Sequence, residues 1–170
     1  IELDVGSAGT ALAAAFERIV KARKISAADL HVHFGLDPLH ENADVIAAAA
    51  LRLKKAGYRA APIVADARRV HMAGGTEAQE LALALASAVS SLRALEHAGA
   101  SLDDARSLIS FRLAADADQF LTIAKLRALR RLLRHLRDQV LQLTWMPVHA
   151  GPVDLVVVEG YAMGSKRQSH

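Results

Sequence analysis

Apolar residues along this chain follow two alternating periods, one helical and one extended. From Thr10 to Lys24, Leu12, Phe16, Ile19 and Val20 recur on one side while Glu17, Arg18 and Lys21 fall on the other. That spacing predicts an amphipathic helix. After a connector over Ser26–Asp29, Leu30–Leu36 (L-H-V-H-F-G-L) reads as a strand running into a turn at Asp37-Pro38. Proline keeps the residue before it out of the helical region, which places Asp37 in the turn. An alanine-rich helix is expected over Glu41–Lys55, closed by Gly57, and a second strand over Ala60–Ala65.

The stretch from Ala65 to Leu136 states the same plan twice. A polar turn with His71 and a Gly74-Gly75 break leads into a helix. Thr76 stands three residues before Gln79 at its start, the spacing of a capping box. Leu81, Leu85, Ala88, Leu92 and Leu95 give that helix an apolar face, and Gly99 ends it. A third strand over Leu108–Leu113, a turn around Asp116 and Asp118, and a long helix from Ala117 to about Leu143 complete the repeat. Strands separated by helices need crossover connections, so a parallel sheet is predicted, with Ala60–Ala65 and Leu108–Leu113 as neighbours. Periodicity fits a (β/α) barrel and a doubly wound sheet equally. Beyond Leu143, Val148–Ala150 reads as a short strand, Val153–Val158 as a buried one, and Gly164–His170 as a disordered end.

Composition narrows the chemistry. The chain has 170 residues, enough for one domain with a sizeable core, and is 52% hydrophobic but only 4% aromatic. Alanine and leucine make up the difference, which favours closely packed helices. With no cysteine, thiolate catalysis, disulfides and metal–thiolate centres are excluded. A net charge of +3 is too mild to imply a nucleic-acid or membrane partner. The longest apolar run, Val45–Leu51, is far short of the roughly 20 residues of a spanning helix. A soluble cytoplasmic or organelle-matrix protein is expected, and the absence of Met at position 1 fits a piece of something longer.

Several features could carry chemistry. His71 falls at the carboxyl end of a predicted parallel strand, where α/β folds place their ligand sites, and could donate a proton or hydrogen bond to a bound carbonyl. A surface-turn histidine without a role is the competing reading. His31 and His33 alternate along one strand and share a face, with His40 and Glu41 nearby; spacing fixes no third ligand, so no metal site is expected. Asp29-Leu30-His31 with Gly35 approaches the Asp-x-His-x-x-Gly pattern of cobalamin domains, but the glycine is one residue late. Gly74-Gly75 lacks the third glycine of a dinucleotide site. In the long helix, Leu126, Leu129, Leu133, Leu136, Val140 and Leu143 oppose Arg127, Arg130, Arg131, Arg134 and Arg137. Such a helix either binds a polyanion or packs its leucines and leaves its arginines in water, and the second reading is preferred.

The segment V-H-M-A-G-G-T-E-A-Q-E-L-A-L-A-L-A, the following S-L-R-A-L-E-H-A-G, and I-S-F-R-L-A-A-D-A-D-Q-F-L-T-I-A-K-L-R-A-L-R-R-L closely resemble the methylmalonyl-CoA mutase family. The upstream H-F-G-L-D-P-L is similar to the matching strand of the small subunit of the heterodimeric mutases. The resemblance runs from about Leu30 to Leu136 and fades after Ala150, as a truncation or a shifted reading frame would make it do. It implies an α/β fold, part of a (β/α)8 TIM barrel over residues 1–150 with a divergent tail over 151–170. It implies adenosylcobalamin-dependent exchange of methylmalonyl-CoA and succinyl-CoA, an acyl-CoA ligand, and a catalytic mutase subunit as heterodimer partner, with no nucleic acid and no membrane. His71 matches the family's histidine that contacts the thioester carbonyl. The tyrosine before it is Val70 here, the glutamine of the earlier strand falls at Gly35, and the substrate-binding arginine falls at Val45. The resemblance therefore implies a non-catalytic small-subunit barrel. A fragment of a catalytic acyl-CoA mutase subunit and a basic helical binding module are the alternatives.

Overall fold

The computed structural model describes residues 1–3, 8–142 and 155–159. In chain order the elements are α1 (Gly9–Ala22), α2 (Ala43–Lys55), β1 (Ile63–Asp66), α3 (Arg68–Met72), α4 (Glu77–His97), α5 (Leu102–Ser107), β2 (Ile109–Ala115), α6 (Gln119–Gln142) and β3 (Leu155–Glu159). The strands form a parallel sheet in the order β1-β2-β3, with Asp66 opposite Arg112 and Phe111 opposite Leu155. The expected adjacency of the second and third predicted strands is therefore observed.

The strand expected over Leu30–Leu36 does not form as a continuous ladder. Single parallel bridges join Glu2 to His33 and Leu36 to Ile63. The His33 N–H donates to the carbonyl of Ile1 at 2.9 Å, and the Val64 N–H donates to that of Leu36 at 2.8 Å. The segment thus lies parallel to β1 as an extended neighbour. Gly35, at φ +63°, turns the backbone out of the extended region and breaks the regular pairing. Two further corrections concern boundaries. β1 starts at Ile63 rather than Ala60 because Pro62 has no N–H to give a ladder. The polar turn expected around His71 is the short helix α3, and α5 was not legible from periodicity at all. The predicted strand at Val148–Ala150 and the tail at Gly164–His170 lie outside the described residues.

Alternation along the extended segments separates two faces. Val32, Phe34 and Leu36, with Ile63, Ala65, Ile109, Phe111 and Leu113, join one buried apolar cluster with Ile46 and Leu53 of α2, Leu81 and Leu95 of α4, and Leu129 of α6. His33, Asp66, Ser110 and Arg112 fall on the opposite parity. The core is built from the helix-facing side; burial of each large aliphatic side chain there contributes about 1.5–3 kcal/mol.

α4 is the helix the core rests on, and its ends are set by sequence. The Gln79 N–H donates to Thr76 Oγ1 at 3.3 Å while the Thr76 N–H donates to Gln79 Oε1 at 2.9 Å, completing the predicted capping box. Gly99, at φ +87°, closes the other end, and the Ala100 N–H returns to the Leu95 carbonyl at 3.0 Å. In α6, Leu129 is fully buried and Leu126 and Leu133 pack on the core, whereas Arg127, Arg130, Arg131 and Arg134 are exposed. That is the packed amphipathic arrangement preferred from the sequence. Among the described residues no helix is long and apolar enough to cross a membrane.

Candidate functional site

The carboxyl ends of β1 and β2 open into α3 and into the turn before α6, and the chemistry-bearing side chains collect there. Ala67 continues the ladder by donating its N–H to the Arg112 carbonyl at 3.0 Å, and α3 then carries Arg68, Arg69, Val70 and His71 across the rim. The Gly74 N–H donates to the His71 carbonyl at 2.9 Å and the Gly75 N–H to that of Val70 at 2.8 Å, folding the chain straight back into α4. Gly75 is required by this closeness: a Cβ there would strike the Val70 side chain and carbonyl.

The turn brings His71 against two carboxylates. Its Nε2 lies 4.0 Å from Asp116 Oδ2, with side chains 30% and 37% exposed. Glu77, in the first turn of α4, completes a group whose ligand-type atoms lie within 4.8 Å of one another. Asp116 is oriented from behind, since its Oδ1 accepts the Asp118 N–H at 3.0 Å and the Thr122 hydroxyl at 3.3 Å. The imidazole can donate a hydrogen bond, exchange a proton or share a cation with the carboxylates.

A second cluster lies at the end of the segment 30–36. Asp37 is buried, accepts the Leu39 N–H at 2.9 Å and lies 3.4 Å from Arg69, which in turn meets His40 Nε2 at 2.6 Å. Burial pushes the Asp37 carboxyl above its ordinary value, against the lowering by the Leu39 N–H and the Arg69 cation. On the parity of the sheet opposite the helices, buried Arg112 pairs with Glu2 and with Asp66 (3.3 Å), and Asp66 also takes Arg68 in a bidentate pair at 3.0 and 2.5 Å. Burial pulls the Arg112 guanidinium below its ordinary value.

The positions singled out from sequence fall on separate elements. His71 is half-buried at the rim, with Val70 beside it on α3. Gly35 stands at positive φ, where any Cβ would fall on the Leu3 carbonyl oxygen, so a glutamine does not fit this backbone. Val45 is 52% exposed in the first turn of α2, capped by Asn42. His31 and His33 meet at 3.2 Å between their Nε2 atoms, but the neighbours considered with them go elsewhere. His40 joins Arg69, and Glu41 accepts the Thr10 N–H at 3.2 Å. Glu77 and Arg112 were missed. Glu77 looks like an ordinary first-turn acid, but Arg112, the one charged residue of the strand expected over Leu108–Leu113, was a visible signal.

Comparison with known proteins agrees with the residues that carried the resemblance. The family model described as methylmalonyl-CoA mutase matches residues 8–142. The methylmalonyl-CoA mutase small subunit of Streptomyces virginiae is 38% identical over 141 residues, covering 78% of this chain and 23% of that protein. The small subunit from Propionibacterium freudenreichii subsp. shermanii is 38% identical over 135 residues, 75% of this chain and 20% of that protein. A protein of Mycobacterium tuberculosis (strain ATCC 25618 / H37Rv), named as a probable methylmalonyl-CoA mutase small subunit, is 43% identical over 112 residues, 61% of this chain and 18% of that protein. The chain spans about a fifth of the length of these relatives. With residues 8–142 matched by its family model, the chain belongs to the methylmalonyl-CoA mutase family.

Proposed function

We propose that this chain is part of the wall of a (β/α)8 barrel in the small subunit of an adenosylcobalamin-dependent methylmalonyl-CoA mutase, and that it supports a catalytic partner subunit instead of catalysing. Parallel strands with helices on one side are the units from which such barrels are built, and the face away from the helices is their interior. The observation that carries the non-catalytic reading is the charge cluster on that face. Arg112 is 2% exposed and is paired with Glu2 and Asp66, and Asp66 is shared with Arg68. Large side chains that satisfy one another occupy space that a ligand in the interior would need.

The positions matched to substrate contacts support the same reading. Gly35 has no side chain and no room for one, while Val70 and Val45 offer no hydrogen bond to a carbonyl or carboxylate. A hydrogen bond to a charged group contributes about 1.5–3 kcal/mol, so losing several weakens acyl-CoA binding by orders of magnitude. His71, matched to the family's thioester-contacting histidine, stands at the rim without its companion contacts and holds no acyl group by itself.

The residues here do not fit cobalamin. Asp29 ends a short 3-10 turn, His31 Nε2 is engaged with His33 Nε2 at 3.2 Å, and Gly35 closes against Leu3, so the partial motif forms no axial-ligand loop.

The test is titration of the purified protein with adenosylcobalamin and with methylmalonyl-CoA, followed by product analysis. Neither micromolar cofactor binding nor succinyl-CoA formation is expected. Turnover that His71→Ala abolishes would overturn the reading in favour of a catalytic subunit.

A further inference from the structure

We propose that His71, Glu77 and Asp116 form a binding site for a divalent first-row transition cation, with zinc or manganese the best matched, at the carboxyl ends of β1 and β2. This goes beyond the non-catalytic barrel reading, which leaves His71 idle. The donors come from three separate elements: the imidazole from α3, one carboxylate from the start of α4, and one from the turn after β2.

Their spacing suits an ion. Metal–nitrogen and metal–oxygen bonds to such cations are about 2.0–2.2 Å long, so two ligands of one tetrahedral ion stand about 3.4 Å apart. His71 Nε2 and Asp116 Oδ2 are 4.0 Å apart, too far for a hydrogen bond and about half an ångström wider than that spacing. All three ligand atoms fall within 4.8 Å, a separation that small side-chain rotations close.

The surroundings prepare each ligand. The Asp118 N–H and the Thr122 hydroxyl occupy Asp116 Oδ1, which turns Oδ2 toward the imidazole in the manner of outer-shell partners around metal ligands. Thr76 and Gln79 complete the cap of α4 between themselves, so Glu77 takes no part in the capping box. The Gly74-Gly75 turn, held by N–H bonds to the His71 and Val70 carbonyls, fixes the distance between His71 and Glu77. The nearest arginines on α3 are engaged by other carboxylates, Arg68 by Asp66 and Arg69 by Asp37.

The ligand chemistry sets the class of ion. One imidazole and two carboxylates suit zinc, manganese, cobalt or iron; calcium and magnesium prefer oxygen alone. Partial exposure of His71 and Asp116 leaves the remaining coordination positions to water. Spacing in sequence could not reveal this group, because Asp116 is brought to His71 only by the pairing of β1 with β2.

The experiment is dialysis of the metal-stripped full chain against Zn2+, Mn2+ and Mg2+, with stoichiometry read by elemental analysis and affinity by calorimetry. Co2+ substitution gives a visible spectrum that reports mixed nitrogen and oxygen ligation. We expect one Zn2+ or Mn2+ per chain, with Mg2+ much weaker. His71→Ala and Asp116→Asn should each weaken binding at least tenfold with an unchanged circular dichroism spectrum, while His31→Ala leaves it unaltered. No stoichiometric binding, or binding that His71→Ala does not change, overturns the site. These readouts involve no mutase activity, so failure of the site leaves the barrel reading standing, and catalysis by the chain would not remove the site.

Discussion

The carboxylate of Glu80 on α4 and the ammonium of Lys125 on α6 meet at 2.6 Å with their side chains 1% and 2% exposed. The other Glu80 oxygen accepts the Ala114 N–H at 2.6 Å, so one carboxylate joins α4 to both β2 and α6. Burying two charges is costly, and their attraction offsets that only while both are present. Glu80→Gln, which strands the lysine, and Lys125→Met, which strands the carboxylate, should each destabilise by about 3–5 kcal/mol. The double variant Glu80→Gln/Lys125→Met should cost clearly less than the sum of the two. Denaturant midpoints measure this, and strictly additive losses would contradict the pairing.

Asp37 sets an acid-range dependence. Its folded-state value is raised by burial above the ordinary 3.8, so the folded protein holds this proton more tightly than the unfolded chain. Stability therefore rises as pH falls through the raised value toward the ordinary one, and the cost of the buried carboxylate is fully present above it. Asp37→Asn keeps an acceptor for the Leu39 N–H and removes the charge. Thermal melts should show the variant more stable at neutral pH, with its advantage shrinking on acidification. An advantage that grows as pH falls would be the wrong sign.

Two glycines separate backbone strain from crowding. Gly74 sits at φ +80° with nothing within 4 Å of an added Cβ, whereas Gly35, at φ +63°, would drive a Cβ onto the Leu3 carbonyl. Gly74→Ala should cost about 1–2 kcal/mol for the left-handed backbone alone. Gly35→Ala should cost distinctly more, because the contact between residues 1–3 and 30–36 must also give way. Equal melting temperatures for the two variants would contradict this.

The two sides of α6 should respond differently. Leu129 is fully buried in the core cluster, so Leu129→Ala should cost about 2–5 kcal/mol. Arg131 is exposed, and Arg131→Ala should stay within about 0.5 kcal/mol of the parent. Chemical denaturation compares the pair; a large loss at Arg131 would mean that the arginine side is packed.

What was legible in the sequence was whatever local chemistry decides. Thr76 and Gln79 announced the start of α4, Gly99 its end, and the leucines of α6 their buried stripe, because caps and helical periods act within a few residues. The extended segment 30–36 was misread as a regular strand because its alternation of apolar residues says nothing about a left-handed Gly35. Short α3 and α5 carry too few residues to show a period. The rim group was out of reach for another reason: His71 meets Asp116 only through strand pairing. Lys125 within an apolar helical face, and Glu80 within another, were signals that a buried pair was needed.

On the proposed function, this chain supports a mutase without performing its chemistry. The most direct measurement is methylmalonyl-CoA turnover by the complex of the full-length small subunit containing this chain with its catalytic partner, assayed with the parent protein and with His71→Ala. A stable complex is expected, with turnover that is unchanged by His71→Ala and collapses when the small subunit is left out. Loss of turnover in an intact His71→Ala complex, or full turnover by the partner alone, would contradict it.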